Sequence, residues 1–355
     1  MLEQLTTTYF IFLLLELFNT TQMANKKITQ LDLFSGIGGF HLGFERAGYE
    51  VKSYFSEIDK HAVAVYKHKF KDAEYVGSVT DVRAEQLPKI DLITFGSPCQ
   101  DFSLAGKRAG LAGDRSGLIL EAVRLIRECR PSVFIWENVK GSFSSNDGED
   151  FAAILQEFTN IGGYRLEWQL LNTNWVLPQN RERVYLVGYS TKPGRNWRGV
   201  LPIKEKPAGF NEGTRDATNV RALVAGAKSG GRHSTMTLLK VKSATSRGYE
   251  IAEEGDSINL TAINSTTRRG RVGKAQAQTL DTSCAQAVIK EDRIRRLTPI
   301  ECERLQGFPD NHTEYGIYDG EVKKMSNTQR YKQCGNAVTV DIVALVAEAV
   351  KPLFK

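Results

Sequence analysis

The chain has 355 residues, 41% of them apolar and 25% charged, with a net charge of +6 and a pI of about 8.9. That length makes one large or two medium domains, and the balance excludes a low-complexity or mainly disordered chain. The five cysteines (Cys99, Cys129, Cys284, Cys302, Cys334) are odd in number, widely spaced and without a C-x-x-C pair. Neither a disulfide framework nor a zinc or other metal site is therefore expected, and a reducing, cytoplasmic compartment is.

The first apolar run, "YFIFLLLELF" (Tyr9–Phe18), has ten residues and carries Glu16. It is too short to cross a bilayer. No Lys or Arg precedes it and no small-residue cleavage site follows, so a signal peptide is not expected either. Met23, followed by "ANKK", is a second candidate start, and residues 1–22 are expected to lie outside the folded domain.

From Lys27 to Ser190 strands alternate with helices. Strands are predicted at 28–34, 50–57, 90–97, 131–139, 165–172 and 183–190, and helices at 40–48, 60–70, 116–130 and 149–162. This alternation predicts an α/β fold: a doubly wound, mostly parallel sheet with helices on both faces. From Ser190 to Lys290 the composition turns to Gly, Ser, Thr and Asn, with 17 Lys and Arg against 8 Asp and Glu. The basic excess of the chain therefore sits in this one segment, a pattern shared by polyanion-binding surfaces and solvated insertions. Near residue 294 the α/β pattern returns. Thr298, Pro299 and Glu301 form a helix-start signature, and 335–354 is predicted as a closing apolar helix. The expected organisation is an extension (1–22), a first part of the large domain (23–190), a smaller irregular domain (191–290) and a segment that completes the large one (291–355).

Three features suggest chemistry. "DLFSGIGGF" joins a strand to a helix, where glycines let a ligand approach the backbone, and Glu57 ends the next strand, 21 residues after Gly36. That pairing fits a nucleoside cofactor with the acid on ribose hydroxyls. It is not G-x-G-x-x-G, which argues against a nicotinamide dinucleotide. Cys99, behind Pro98, follows a strand at the ligand-binding edge of such a sheet, a position for a nucleophile or simply for a small buried residue. Glu137 in "FIWENV" ends another strand and could act as an acid beside it or merely cap the turn with Asn138. Arg181 and Arg183 in "QNRERV" share a face and suit carbonyl or phosphate oxygens, or a surface ion pair with Glu182.

Taken together, "DLFSGIGGF", "SEID", "GSPCQDFSLAG", "WENV", "QNRERVYLVG", "RRLTPIECERLQGFPD" and "QCGNAV" resemble, in order, the motifs of the cytosine-5 DNA methyltransferase family of bacterial or phage type, from about residue 28 to the end outside 190–290. The resemblance implies the methyltransferase fold and S-adenosyl-L-methionine as cofactor. It implies double-stranded DNA as substrate, with the target cytosine flipped out. It implies Cys99 as the nucleophile at C6, Glu137 on N3, Arg183 on O2, Arg181 ordering the site and Pro98 shaping the turn. The segment Gln100 to Arg115 resembles the family's catalytic loop, with Gln100, Ser103 and Lys107 toward DNA. Phe34 and Ile58 would pack on adenine, Gly36 and Gly38 would lie under the methionine part, Glu57 would hold ribose and Asn336 would complete the pocket. Many members carry Gly-Asp-Ile as their third motif; here "GSVTDV" puts Ser78 at the Asp position and Asp81 three residues later.

The basic segment would be the target recognition domain. There Arg268, Arg269 and Arg271 would face DNA, and Thr279-Leu280 resembles a pair common in such domains. A monomer away from membranes, with a cognate restriction endonuclease acting separately, is the corresponding expectation. The alternatives are a tRNA cytosine-5 methyltransferase on the same catalytic domain and an inactive DNA-binding homologue.

Overall fold

A computed structural model describes residues 26–97, 117–191, 199–204, 239–261, 267–290 and 293–354. The first part runs β1 (Lys26–Leu33), α1 (Gly39–Arg46), β2 (Tyr49–Ser56), α2 (Lys60–Lys69), β3 (Glu74–Tyr75), β4 (Leu92–Gly96), α3 (Gly117–Cys129), β5 (Val133–Val139), α4 (Glu149–Asn160), β6 (Tyr164–Asn172), β7 (Gln179–Asn180) and β8 (Glu182–Ser190). The second part runs β9 (Leu239–Lys242), β10 (Tyr249–Ala252), β11 (Ser257–Asn259), β12 (Val272–Gly273), β13 (Ala277–Gln278), β14 (Gln286–Lys290), β15 (Arg293–Arg296), α5 (Pro299–Leu305), β16 (Tyr315–Tyr318), β17 (Glu321–Lys324), α6 (Asn327–Asn336) and α7 (Val340–Val350).

Seven strands form one sheet in the order β3-β2-β1-β4-β5-β8-β6. β1 to β5 run parallel, and β8 runs antiparallel to both β5 and β6. The central strands "LITF" and "VFIWEN" are buried throughout, as expected for strands covered on both faces. One face packs Phe44, Leu92, Ile135 and Val187 against Val343, Val346 and Val350 of α7. There Gly43 of α1 meets α7 so closely that a Cβ would lie 2.4 Å from Val343. The other face packs Leu31, Phe95, Phe134, Trp136 and Leu186 against α3 and α4. Burial on this scale, at about 25 cal/mol per Å² of apolar surface, holds the sheet rigid and fixes the ends of its strands.

The second sheet is small, with strand order β12-β11-β14-β15. Two departures from the expected organisation occur here. Residues 293–296 pair with β14 instead of returning to the large sheet, and β7 pairs in parallel with β13. Sequence periodicity cannot register strands this short.

Helix α5 begins as expected: Thr298 accepts from the Glu301 N–H, and Glu301 accepts from the Thr298 N–H at 2.8 Å. The predicted single helix over 335–354 is instead two. α6 ends at Asn336, Ala337 is extended, and α7 starts after Thr339, whose hydroxyl reaches Gln306 and Thr173. The polar run "NTQRYKQCGN" of α6 has no apolar stripe to announce it. The break leaves the Asn336 side chain exposed at a helix end.

Candidate active site

The carboxyl ends of β1, β2, β4, β5 and the start of β8 converge on one edge of the large sheet. After β1 the chain turns through three positive φ values, at Phe34 (50°), Gly36 (54°) and Gly38 (84°). Phe34 lacks glycine's freedom, so this is strained backbone of the kind that marks ligand sites. Gly38 is fixed by packing as well, since a Cβ would lie 2.3 Å from the Phe70 ring, whereas above Gly36 nothing lies within 4 Å of one. Glu57, just past β2, accepts the Gly36 N–H at 2.9 Å on one oxygen and the Ile58 and Asp59 N–H groups at 2.8 and 2.9 Å on the other. Its carboxylate is thereby aimed at the glycine turn.

Ile58 beside it is 79% exposed, an unusual position for a large apolar side chain and one that a flat ring would cover. Phe34 is half-buried nearby in sequence, and Ser78 follows a glycine whose carbonyl accepts from Ser56. The Ser78 hydroxyl bonds Thr80 at 2.9 Å, and Asp81 is exposed, accepting from the Thr80 hydroxyl at 3.3 Å. The open glycine turn, the acid and the exposed apolar side chain fit a nucleoside cofactor.

Beneath this turn lies a buried network that sequence reasoning missed. Asp32 is fully buried, accepts from the Thr94 hydroxyl at 2.7 Å and faces Tyr66, which also meets Ser53 and His41. Burial pushes the Asp32 carboxyl up to about 8 against the opposing pull of its hydrogen bonds. From the other side His312 donates through Nε2 to the Ile37 carbonyl at 2.9 Å, and burial lowers its pKa to about 3, so the ring is neutral. A long-range contact of this kind leaves no local signature in the sequence.

Glu137 lies opposite Gly96 in the β4–β5 register. A Cβ on Gly96 would be 3.1 Å from Glu137 Oε2, so the absence of a side chain there makes room for the carboxyl. Ser97 is held by the Trp136 indole N–H at 3.1 Å and by the Asn138 amide at 3.1 and 3.2 Å, which fixes the point where the chain leaves β4 toward residue 98. Asn138 Oδ1 also accepts the Val139 N–H at 2.7 Å, so it is Asn138 that supports the turn and Glu137 that is left for the site.

Arg183 Nε lies 3.2 Å from Glu137 Oε1, a diagonal pair on one face of the β5–β8 ladder. Burial holds the Glu137 carboxyl above the usual carboxylate range, against the pull of Arg183 and then Arg181. A carboxyl whose neutral form is favoured by burial can donate a hydrogen bond or a proton to a ligand atom. Arg181 is 3% exposed and spends its guanidinium on the carbonyls of Leu280, Gly335 and Ala337. It therefore supports the site rather than facing a ligand.

Pro98, Cys99, Gln100, Ser103 and Lys107 lie outside the described residues. On the small sheet Arg268 and Arg269 are exposed, and Arg269 Nε donates to the Ala244 carbonyl. Two expectations are corrected. Arg271 is 2% exposed and Leu280 is 1% exposed, so their side chains point into the fold and not toward a duplex. Leu280 packs with Ala277, Cys284, Leu297 and Leu305, which is why the position is apolar. Thr279 is exposed, with its hydroxyl donating to the Asn180 carbonyl. Among the described residues no group of three or more His, Cys, Asp or Glu is arranged to hold a metal ion.

Comparison with known proteins agrees with this geometry. Residues 28–352 match the family of C-5 cytosine-specific DNA methylases. The Type II methyltransferase M1.ScrFI of Lactococcus lactis subsp. cremoris is 33% identical over 329 residues, covering 91% of this chain and 77% of that protein. M.FnuDI of Fusobacterium nucleatum is 31% identical, covering 90% and 93%, and M.HhaI of Haemophilus parahaemolyticus 29%, covering 92% and 96%. The crystal structure of the S. pombe Dnmt2 methyltransferase superposes with a TM-score of 0.61 at 18% identity, covering 92% of this chain and 99% of that one, a likeness of fold. Entamoeba histolytica methyltransferase EhMeth does so with a TM-score of 0.57 at 17% identity, covering 93% and 100%. With the family match spanning nearly the whole chain and relatives above 30% identical along most of it, the chain belongs to the C-5 cytosine-specific DNA methylase family as a DNA (cytosine-5-)-methyltransferase.

Proposed function

We propose that the enzyme methylates C5 of cytosine within a specific short sequence of double-stranded DNA, using S-adenosyl-L-methionine, as the modification member of a restriction-modification system. The observation that carries this reading is the Glu137 carboxyl lying over Gly96, three residues before Cys99, with Arg183 at 3.2 Å. A stacked cytosine exposes neither face of its ring, so the target base must rotate into this pocket. Glu137 protonates or hydrogen-bonds N3, and Arg183 contacts O2. Both draw electron density from the ring and make C6 electrophilic. The Cys99 thiolate adds there, and C5 becomes the nucleophile. After methylation, the C5 proton passes to solvent, the C6–S bond breaks with its electron pair returning to Cys99 as thiolate, and the aromatic ring is restored.

S-adenosyl-L-methionine, when bound, would supply an electrophilic methyl group, the S–CH3 electron pair staying on sulfur as the neutral thioether S-adenosylhomocysteine. Phe34, Gly36, Gly38, Glu57, Ile58, Ser78 and Asn336 would hold it, with Ile58 and Phe34 on the apolar ring and Glu57 on the ribose. Residues 191–290, extended by β15, form the target recognition domain, with Arg268 and Arg269 toward DNA. The enzyme works as a cytoplasmic monomer, and a cognate endonuclease acts separately.

Expression in a methylation-free bacterium followed by bisulfite sequencing tests the reading. 5-Methylcytosine at one defined motif is expected, with none in the Cys99→Ala variant, which folds as the parent does. Methylation of purified tRNA but not of DNA, or full activity in Cys99→Ala, would overturn it.

A further inference from the structure

Two buried polar side chains outside the reacting pair, Gln179 and Arg181, converge on one short peptide, and a third, Gln306, joins them at the end of α6. The Leu280 N–H donates to Gln179 Oε1 at 3.0 Å, and the Leu280 carbonyl accepts from Arg181 Nη1 at 3.1 Å. The residue before it is tied to the same strand, through the Thr279 hydroxyl and the Asn180 carbonyl at 2.7 Å. The same side chains continue to the far end of α6. Arg181 Nη2 donates to the carbonyls of Gly335 and Ala337 at 3.3 and 2.9 Å. Gln306 Nε2 donates to the carbonyls of Cys334 and Ala337 at 2.7 and 3.4 Å. Gln179 Nε2 closes the set on the Leu305 carbonyl at 2.8 Å and on Gln306 Oε1 at 3.3 Å. Gln179 and Gln306 are fully buried.

The carbonyls so held flank Asn336, an exposed residue that the proposed function gives to the cofactor, while the peptide so held carries Thr279, exposed just after β13. The two segments also touch directly: a Cβ on Gly335 would be 2.1 Å from the Asp281 carbonyl oxygen. Apolar side chains could glue these segments together without fixing their angle. Directional bonds to backbone carbonyls in a dry interior fix it, and leaving any of them unmade is costly.

We propose that Gln179, Arg181 and Gln306 are positioning residues that lock the DNA-side peptide Thr279-Leu280 to the cofactor-side carbonyls around Asn336, so that DNA and cofactor each bind more tightly when the other is present. This rests on the proposed function of the two surfaces. Arg183 stands two residues from Arg181, so the same lock also sets where the Glu137–Arg183 pair lies relative to both ligands.

The test is calorimetric titration of S-adenosylhomocysteine into the full chain, alone and with saturating unmethylated plasmid DNA. The parent is expected to bind it about 5-fold or more tightly with DNA, within the usual range for linked sites. Gln179→Met and Gln306→Met, which keep the volume, and Arg181→Lys, which keeps the charge, are each expected to bring that ratio within about 2-fold of unity. Binding without DNA should change much less than the ratio does. A purely structural role would lower the melting temperature and leave the ratio intact, and that outcome in Gln179→Met or Gln306→Met overturns the proposal. A parent that methylates DNA but shows a ratio of one overturns it too, whereas a parent that methylates no DNA removes the functional reading instead.

Discussion

The two sheets of this molecule are held together by a different balance of forces. The large sheet has strands of up to nine residues and two apolar layers around Phe44, Phe95, Phe134 and Trp136. The small one has strands of two to five residues, a much smaller apolar cluster of Val241, Ala252, Ile258 and Ile289, and a larger share of polar side chains bound to backbone. Glu250 accepts the N–H groups of Gly270 and Val272, Asp256 accepts those of Glu253 and Ala275, and Gln286 bonds both the N–H and the carbonyl of Gln278. An apolar sandwich gives rigid strand ends on which an acid and a cation can be held 3.2 Å apart. A polar lattice tolerates change in its surface loops while keeping its shape. The proposed division, with chemistry on the first and choice of DNA site on the second, fits that difference.

The sharpest break of this division is Glu137→Gln. Loss of a positioned general acid lowers kcat by about 10²–10⁴-fold, and DNA affinity should change far less, since in the proposed reading Glu137 touches only the one flipped base. If single-turnover methylation falls and DNA binding falls equally, the separation is wrong. A companion titration reads the electrostatics. Arg183 lowers the Glu137 pKa against burial, so Arg183→Met should raise it further, measurable by carbon-13 NMR of labelled glutamate.

Next in size is the seam between the sheets. In Gly335→Ala the new methyl meets backbone, 2.1 Å from the Asp281 oxygen, which cannot rotate away as a side chain could. A loss of about 1–3 kcal/mol of stability is expected by denaturant melts. The comparison variant Gly36→Ala meets open space and loses only about 1 kcal/mol or less, from its φ of +54°.

Within the large sheet, Asp32 introduces a pH dependence. Its pKa is raised on folding to about 8, so its share of stability is complete below the unfolded value near 4 and is lost as pH rises to about 8. Asp32→Asn removes this loss. The stability of the variant relative to the parent should therefore climb between pH 5 and pH 8, at up to about 1.4 kcal/mol per pH unit. A flat difference over that window would mean the carboxyl is ionised in the fold.

Most of the large sheet was legible because burial on both faces writes continuous apolar strands and amphipathic helices between them. Glu57, Glu137 and Arg183 were legible for the same reason: each sits at a strand end whose position the pattern predicts. The rest depends on long-range contacts. Asp32 is separated from Thr94 by 62 residues and His312 from Ile37 by 275, and nothing local marks either pair. Gln179 and Gln306 stood inside motifs without an evident task, because a side chain that grips backbone has no partner type to look for. On the small sheet a count of basic residues could not separate the exposed Arg268 and Arg269 from the buried Arg271, since alternation over two-residue strands carries no register.

That same distinction sets the smallest predicted effect. Arg268 and Arg269 are exposed beside the turn at Ala244, where long-range attraction to phosphates is screened by salt. Replacing both with alanine should weaken DNA binding only several-fold at moderate salt and reduce the slope of log K against log salt by about 2, one for each lost phosphate contact. Arg271→Ala should instead lower the melting temperature and leave the slope unchanged, because its guanidinium is inside the fold. If the Arg271 variant lost the salt dependence while the double variant kept it, the surface assigned to DNA would be the wrong one. The polar lattice would then be turning a different face to the duplex than its exposed arginines indicate.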